Sequence, residues 1–303
     1  MIHPRYSILL PVLAYASGQA RELSLPVVMV ADLAGKVVRR GGEPVTLAEG
    51  ILANQGLSLA AGARLTVIHL KSGEELVFTG PGTLSFDSEG RPLALGAKLS
   101  TRRKIATLGA GFRLEPGAWT QASVVMRKEF IPDGPTLERD ESMPFRPTSV
   151  GAGQGVWLQP RGDAVLETRP EFRWHLPLSG RVARLRLTDG VGMRVFDAFV
   201  QGDSLRLAAE QALRPGGSYR WRLSWTHSDG QERNTEGEFM VLAETETQLI
   251  RGLQPAQDAS FAERLAFAVA LESRGLLDEA RIYWIALAAE QPGEATLQRF
   301  AAP

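Results

Sequence analysis

Histidine is the side chain best suited to metal binding and to proton transfer near neutral pH. The chain has four histidines, at His3, His69, His175 and His227. They are scattered and show no His-x-x-x-His or other metal-ligand spacing. The run from His227 to Asp229 contains the residue types of a hydrolase triad, but a triad needs them to converge from different parts of the fold. Because this run precedes a turn glycine, we interpret it as a hairpin turn.

Acidic side chains offer a second route to catalysis, as a general acid and base. Glu138, Asp140 and Glu141 lie in a stretch rich in Pro, Gly and Ser, where nothing would desolvate one of them and raise its pKa. The glycines from Gly151 to Gly155 lack the dinucleotide fingerprint. We therefore expect no catalytic residue, no metal and no cofactor. A buried pair of ionisable groups with displaced pKa values in a cleft would favour an enzyme instead.

Composition excludes further classes of function. The 303 residues contain no cysteine, which rules out disulfides, thiolate metal sites and cysteine nucleophiles. Lysine plus arginine and aspartate plus glutamate both number 34. Because the charges balance, we expect no bulk attraction to nucleic acid or to an anionic membrane.

Aromatic side chains are the remaining candidates for a functional site, because an exposed ring can stack on a sugar or anchor a peptide. The surroundings of Trp119 and Trp157 do not assign either residue to a core, and Trp157 lies at a domain junction. Tyr283 and Trp284 lie on a predicted C-terminal helix. These four residues are the predicted binding residues of the chain.

The first 20 residues have the parts of a secretory signal peptide. Arg5 precedes a short apolar run that ends in small residues, with Ala14 and Ala16 in an Ala-x-Ala arrangement. The run is too short to span a bilayer, which takes about 20 residues, and no other segment approaches that length. The sequence thus predicts a periplasmic or secreted protein without a membrane span. The alternative interpretation of this run is a buried first strand.

Residues 23–130 are predicted to form a β domain with an extension. Short apolar runs, such as those at 27–30 and 65–70, alternate with glycine-centred turns, which is typical of a mainly β fold. The runs on either side of Lys71–Glu75 predict a hairpin closed by a glycine-containing turn.

This domain resembles the FecR-like domain family. The resemblance is carried by Gly35–Val38, Leu47–Gly50, Ala60–Gly62 and above all Leu65–Phe78, where a glycine precedes a strand, a tight turn and a second strand. The Asp that usually precedes the turn glycine is Ser72 here. The resemblance implies a β module that takes part in envelope signalling or assembly.

Residues 131–155 shift to Pro, Gly, Ser and mixed charge, and we predict a linker there. Residues 156–243 predict a second β domain of seven short strands, the number expected of a sandwich. The predicted strands are Val165–Glu167, Glu171–His175, Ala183–Thr188, Arg194–Val200, Ser204–Ala208, Ser218–Thr226 and Thr235–Val241.

The second domain resembles immunoglobulin-like and fibronectin type III-like sandwiches. Arg169–Trp174 and Leu213–Trp221 match the paired P-x-F-x-W and L-x-P-G-x-x-Y-x-W strands of that group. Because no disulfide is available, large inward-facing side chains must supply most of the core. Those predicted to face inward are Phe172, Trp174, Leu187, Tyr219 and Trp221.

Residues 244–303 change to a helical period and predict an αα-hairpin. Its helices are Phe261–Leu271 and Asp278–Ala288, with Asp278 as N-cap of the second. The pair resembles one tetratricopeptide (TPR) repeat; an unrelated αα-hairpin is the alternative. A single repeat cannot bury its own apolar face, so we expect the pair to pack on the β domains, on a second copy or on a partner. The residues that carry the resemblance are Phe267, Ala268, Leu271, Gly275, Ala280, Trp284 and Pro292.

The sequence therefore predicts a mainly β protein with a C-terminal helical hairpin and no catalytic role. We expect a binding or scaffold protein of the cell envelope that mediates protein–protein interactions. The C-terminal helices are the expected contact for an envelope protein partner, with a homo-oligomer as a further option. The alternative function is glycan or peptidoglycan binding through exposed aromatic side chains of the sandwich.

Overall fold

The computed structural model of the protein describes residues 25–105, 159–176, 182–226 and 230–302. In these ranges sixteen strands precede four α-helices, and the mainly β class predicted from the sequence is confirmed. The predicted linker at 131–155 and the extension of the first domain beyond residue 105 lie outside the described residues.

The first β domain consists of two antiparallel sheets. One has the strand order β3-β1-β5-β6-β9 and the other β2-β4-β7-β8. Their facing side chains form a core in which Phe78 and Phe86 meet edge to face, 6.1 Å between ring centroids. The strands are β1 Pro26–Ala34, β2 Val37–Arg39, β3 Gly50–Leu52, β4 Leu57–Leu59, β5 Arg64–His69, β6 Glu74–Thr79, β7 Gly82–Phe86, β8 Pro92–Leu95 and β9 Lys98–Lys104. The predicted hairpin is confirmed as β5–β6.

Two central strands of the larger sheet, β1 and β5, are buried on both faces. In β1, Val28 and Val30 point into the core between the sheets, whereas Met29 and Ala31 point towards the C-terminal helices. In β5, Ile68 also faces those helices. A strand covered on both faces is a continuous apolar run rather than an alternating one. The runs in the sequence therefore reflect a third layer that covers this sheet.

The second β domain is a sandwich, and every one of its seven strands was predicted. The larger sheet has the order β10-β16-β15-β12-β13 and faces the pair β11-β14. The second and fifth strands of the domain thus share one sheet, and the first, third, fourth, sixth and seventh form the other. Immunoglobulin-type sandwiches likewise separate the second and fifth strands from the third, sixth and seventh, but place the first strand with the second and fifth. The strands are β10 Ala164–Val165, β11 Glu171–Arg173, β12 Ala183–Asp189, β13 Arg194–Val200, β14 Ser204–Arg206, β15 Ser218–Thr226 and β16 Glu232–Val241.

The aromatic core of the sandwich is also as predicted. All five side chains that were expected to face inward are buried, and Phe172 meets Phe239 across the two sheets with ring centroids 6.0 Å apart. The hydroxyl of Tyr219 accepts a 2.7 Å hydrogen bond from the backbone N–H of Arg214. A tyrosine at the start of this strand that bonds back to the preceding corner is a hallmark of the immunoglobulin fold.

Four helices follow the sandwich, two more than the sequence predicted. They are α1 Glu244–Gly252, α2 Phe261–Glu272, α3 Leu277–Glu290 and α4 Ala295–Ala301. The predicted hairpin corresponds to α2 and α3. Helices α1 and α4 were missed because segments of nine and seven residues carry too few turns for a clear period. None of the helices in the described ranges is long and apolar enough to cross a bilayer.

The helices pack on the β domains, which is the first of the three arrangements expected from the sequence. Helix α2 lies on β1 and β5, and its residues from Leu265 to Leu271 share one buried cluster with Met29 and Ile68. The same cluster includes Ala164 and Leu242 from the sandwich. At the end of α3, Gln291 Nε2 donates a 3.1 Å hydrogen bond to Asp32 Oδ1. The helices thus join both β domains through one core.

Candidate functional site

Two of the four predicted binding residues, Tyr283 and Trp284, lie within the described ranges, whereas Trp119 and Trp157 lie outside them. Trp284 is only 2% exposed, and its ring stacks on Phe300 with centroids 4.7 Å apart. Trp284 was predicted as a binding residue, but its ring fills the helical core rather than lying on the surface. Tyr283 is half-buried and meets Phe267 edge to face at 5.1 Å.

The exposed side of α3 is a different set of residues. Ile282 is 68% exposed and Ile285 is 47% exposed, and Ala286 and Ala289 are also exposed. Positions i, i+3, i+4 and i+7 lie on one face of a helix, so these four side chains form a continuous apolar surface, which we call the α3 stripe. A helix that is apolar on all sides is normally buried on all sides. The α3 stripe is therefore the candidate partner-binding surface.

The edges of the α3 stripe are charged, but their charges are engaged within the molecule. Glu290 forms an ion pair with Arg264 of α2, which lowers the pKa of the Glu290 carboxyl group. Arg281 Nε donates to the carbonyl oxygen of Ala302, beyond α4, at 3.4 Å. Helices α2 and α4 thus flank α3 on two sides and leave the stripe between them.

The turn between α2 and α3 contacts the first strand of the sandwich through close backbone packing and hydrogen bonds. Asp278 was predicted as a helix N-cap, but α3 begins at Leu277, after Leu276 as its cap. The Asp278 carboxylate instead accepts hydrogen bonds from Gln159 Nε2 at 3.0 Å and from the backbone N–H of Arg161 at 3.1 Å. The carboxylate therefore links α3 to the sandwich.

Glycines allow this contact to form. A Cβ atom on Gly162 would overlap the carbonyl oxygen of Gly275. Gly275 itself adopts a positive φ of 74°, which favours glycine. Its carbonyl oxygen also accepts a 3.3 Å hydrogen bond from the N–H of Ala164. The approach of the two backbones leaves no room for a side chain on Gly162.

Two carboxyl groups near this contact have raised pKa values. Burial raises the pKa of Glu272 to about 7. The indole N–H of Trp284 opposes this rise without forming a hydrogen bond of regular geometry. Burial also raises the pKa of Glu279, whose Oε1 accepts a weak 3.4 Å hydrogen bond from the N–H of Leu166. Neither glutamate contributes to the shift of the other, so the two do not form a coupled acid–base pair.

His69 has a structural position in β5. It is 9% exposed, and its Nδ1 accepts a 3.0 Å hydrogen bond from the backbone N–H of Ser72. That assignment leaves the proton on Nε2, which donates to the carbonyl oxygen of Glu89 at 2.7 Å. The ring thereby ties the β5–β6 turn to the β7–β8 turn. Within the described ranges no group of three or more His, Asp or Glu side chains is arranged to hold a metal ion.

The outer face of the sandwich carries pairs of opposite charge. Asp197 contacts the guanidinium groups of Arg184, Arg186 and Arg194. Hydrogen bonding to Arg184 is the main cause that lowers the pKa of Asp197 to about 2. On neighbouring strands Arg220 pairs with Glu238 and Arg222 with Glu236. Five arginines thus share three acidic partners, so these pairs offset only part of the positive charge of this face.

Aromatic side chains are scarce on the described surface. Among the described residues Phe199, at 73%, is the one exposed aromatic side chain, and the guanidinium of Arg184 lies over its ring at 5.6 Å. Trp225 is half-buried against the sandwich core. A row of exposed rings, as a glycan platform would use, is absent from the described part of the sandwich.

Comparison with known proteins leaves the family of the chain open. No family model matches it, and no curated protein matches it. Among solved structures the chain is similar to CopC from Methylosinus trichosporium OB3b at 22% identity. That match covers 29% of this chain and 92% of CopC, with a TM-score of 0.23. A likeness of that size carries no argument about function or location, so the resemblances to FecR-like domains and to TPR repeats stay predictions.

Proposed function

We propose that the protein is a non-catalytic scaffold of the cell envelope, which holds two β domains in a fixed arrangement and binds a protein partner through the α3 stripe. One observation carries the proposal: eight consecutive uncharged residues, Ile282 to Ala289, form a helix whose inner face is buried while its outer face is exposed. An apolar helix face in contact with water is disfavoured, at roughly 25 cal/mol per Å² of apolar surface. A partner that covers the stripe would recover that free energy.

The scaffold role is supported by the core that the helices share with both β domains. Met29 and Ile68 of the first domain, Leu242 of the sandwich and Leu265 of α2 belong to one buried cluster. Contacts between domains of one chain usually resemble transient interfaces and permit relative motion. A continuous apolar core instead favours a fixed orientation, and a fixed orientation lets α3 present its stripe at a constant angle.

The absence of catalysis in this proposal is supported by the positions of the ionisable groups. Glu272 and Glu279, the described carboxyl groups with pKa values raised by burial, lie at the contact between helices and sandwich and do not couple with each other. His69 is engaged by Ser72 and Glu89. His69 thus has structural partners, and the two glutamates lack the convergent geometry of an acid–base site.

Location in the envelope is supported by the signal-peptide pattern of residues 1–20. Sequencing the N-terminus of the protein recovered from periplasmic and secreted fractions tests this part directly. A new N-terminus near Ala16 to Ala20 is expected. Recovery of the intact N-terminus in the cytosolic fraction alone would contradict export.

Site-specific photocrosslinking in the cells that make the protein tests partner binding. A photoreactive amino acid replaces Ile282 in one variant and Glu210, an exposed residue of the sandwich, in the matched control. We expect an adduct of defined mass from position 282 and none from position 210. Equal labelling at both positions, or no adduct at 282, would reject the α3 stripe as a binding surface.

A further inference from the structure

We propose that the partner of the α3 stripe is a second copy of this chain, which packs its own α3 antiparallel against the first. This inference rests on the proposed function, because it names the occupant of the same surface.

The α3 stripe is divided into a large half and a small half. Ile282 and Ile285 come first and are branched, large side chains, whereas Ala286 and Ala289 follow and are small. All four are exposed. The large side chains thus protrude near the beginning of α3, and the small ones leave a shallow surface near its end.

A two-fold axis through the middle of the stripe makes this order self-complementary. In an antiparallel pair centred between Ile285 and Ala286, two residues face each other when their numbers add up to 571. Ile282 of one copy then faces Ala289 of the other, and Ile285 faces Ala286. Each large side chain therefore meets a small one, and the same contacts occur twice, as an isologous dimer requires. A parallel arrangement would instead place Ile against Ile and Ala against Ala.

The small residues also permit close approach. Helices pack with their axes about 8–10 Å apart, at a distance set by the side chains at the contact. Because each isoleucine of the stripe lies opposite an alanine, the distance between the two α3 helices can stay the same along the whole contact. Neither a gap between facing alanines nor a clash between facing isoleucines arises. At the edges, Glu290 and Asp278 already have partners in their own copy. Arg281, which donates to a carbonyl oxygen of its own copy, would face Glu290 of the second copy in this register, because 281 and 290 also add up to 571.

The other occupants fit less well. An anionic membrane surface needs basic residues beside the apolar face, but two of the three charged edge residues, Asp278 and Glu290, are acidic and only Arg281 is basic, and the net charge of the chain is zero. A partner with a charged helix would leave its charges opposite Ile and Ala. A uniformly large apolar helix would meet the protruding isoleucines but leave space above the alanines. Only an apolar helix with the reverse order of sizes fits, and antiparallel α3 has that order.

The size of the stripe sets the expected strength of the dimer. Four side chains are a small contact beside the roughly 800 Å² that each partner contributes to a standard interface. We therefore expect a dimer with a dissociation constant in about the micromolar range, in exchange with monomer and dependent on concentration.

Sedimentation equilibrium of the full chain from low to high micromolar concentration tests the dimer. We expect the wild type to shift from monomer to twice the monomer mass, and Ile282→Glu with Ile285→Glu to stay monomeric. The matched control is Val191→Glu with Met193→Glu, which places the same charges on two other exposed apolar side chains and should leave the dimer intact. Wild type that stays monomeric throughout, or a dimer that persists in the stripe variant, would overturn the proposal. Ile282→Ser with Ile285→Ser repeats the test should the charged variant fold poorly.

Cysteine crosslinking tests the register, and the chain has no cysteine of its own to interfere. Ala286→Cys should form a disulfide-linked dimer on mild oxidation, because the two copies of position 286 are offset by only one residue along the axes. Ile282→Cys alone should not, because its two copies are offset by seven residues, about 10 Å at 1.5 Å per residue, beyond disulfide reach. Adding Ala289→Cys to Ile282→Cys should restore the crosslink. Efficient linkage of Ile282→Cys alone would reject the antiparallel register.

The mass of the photocrosslinked adduct at position 282 separates this inference from the proposed function. An adduct of twice the chain mass supports the second copy. An adduct with another protein, together with a monomeric wild type in sedimentation, overturns the second copy and leaves the scaffold proposal standing. No adduct and no dimer would reject both.

Discussion

At the scale of single residues, α3 shows that the size of an aromatic side chain does not tell which face of a helix is exposed. Trp284 and Ile282 are two positions apart on a helix that is apolar on all sides, and the sequence alone favoured the tryptophan as the binding residue. In the structure Trp284 is buried and Ile282 is the exposed one. The sequence could not show which of the two side chains is exposed, because hydrophobic periodicity identifies the buried face of a helix only when the other face is polar.

The burial of Trp284 predicts a large cost of truncation. Trp284→Ala removes a ring stacked on Phe300 and should lower the free energy of unfolding by about 3–5 kcal/mol. Ile282→Ala, on the exposed side of the same helix, should change it by less than about 1 kcal/mol. Denaturant titration of both variants at a concentration where the chain is monomeric measures the difference. Similar losses in the two variants would contradict the assignment of buried and exposed faces.

Glu272 predicts a pH-dependent stability. Its pKa is about 7 in the folded chain against an ordinary value of 4.5. Between these two pH values the folded state binds more protons than the unfolded state. The contribution of Glu272 to the free energy of unfolding therefore falls as pH rises from 4.5 to 7. Glu272→Gln should remove this fall and make the protein more stable than the wild type at pH 8, by up to roughly 3 kcal/mol.

Denaturant titrations at pH 4.5, 6 and 8 measure the effect of Glu272→Gln. The matched control is Glu210→Gln, because Glu210 is exposed and should not change the pH profile. Glu279 is present in every variant, so its effect on the free energy of unfolding is the same in all the curves and cancels when they are compared. A parallel shift of the Glu272→Gln curve at all three pH values would show that the carboxyl group keeps its ordinary pKa.

At the scale of elements, the strands were easier to predict than the ends of the helices. The seven strands of the sandwich were found because each is bounded by turn residues and alternates over a half-buried sheet. Asp278 has the position of an N-cap in the sequence, yet it binds Gln159 and Arg161 instead. Those partners lie more than a hundred residues earlier, and no local rule for capping can include them.

The close contact of Gly162 with Gly275 predicts that a single methyl group disturbs the joint between helices and sandwich. Gly162→Ala should force the α2–α3 turn away from the sandwich and cost about 1–3 kcal/mol. Hydrogen exchange should rise at residues 273–279 and at Ala164, whose N–H donates to Gly275. Gly252→Ala is the matched control, because a Cβ there meets nothing within 4 Å. Unchanged exchange at the turn would mean that the backbones can separate freely.

At the scale of the whole molecule, the apolar runs of the first domain carry a signal for a third layer over the larger sheet. The first apolar runs lack alternation because β1 and β5 have the other sheet on one face and α2 on the other. The placement of α2 over the first domain rather than over the sandwich could not be predicted, because both domains precede the helices and either could have offered an apolar face.

The shared core predicts that damage to α2 spreads into the first β domain. Leu265→Ala removes a fully buried side chain that belongs to the cluster with Met29 and Ile68 and should cost about 2–5 kcal/mol. Hydrogen exchange followed by mass spectrometry should show faster exchange in β1 and β5 as well as in α2. The inner strands of the sandwich, β12 and β15, serve as the internal reference. Faster exchange confined to α2 would mean that the helices and the first sheet do not unfold together.

The cover of β1 and β5 has a consequence for biosynthesis. These strands leave the ribosome early, but the helix that shields their outer face is made only after the whole sandwich. Until then the nascent chain exposes Met29, Ala31 and Ile68 to the surrounding medium, and exposed apolar strands of this kind are prone to aggregate. A fragment that stops at Lys104 should for the same reason be insoluble on its own. Adding residues 244–302 as a separate peptide should rescue its solubility, because α2 could then settle over the sheet.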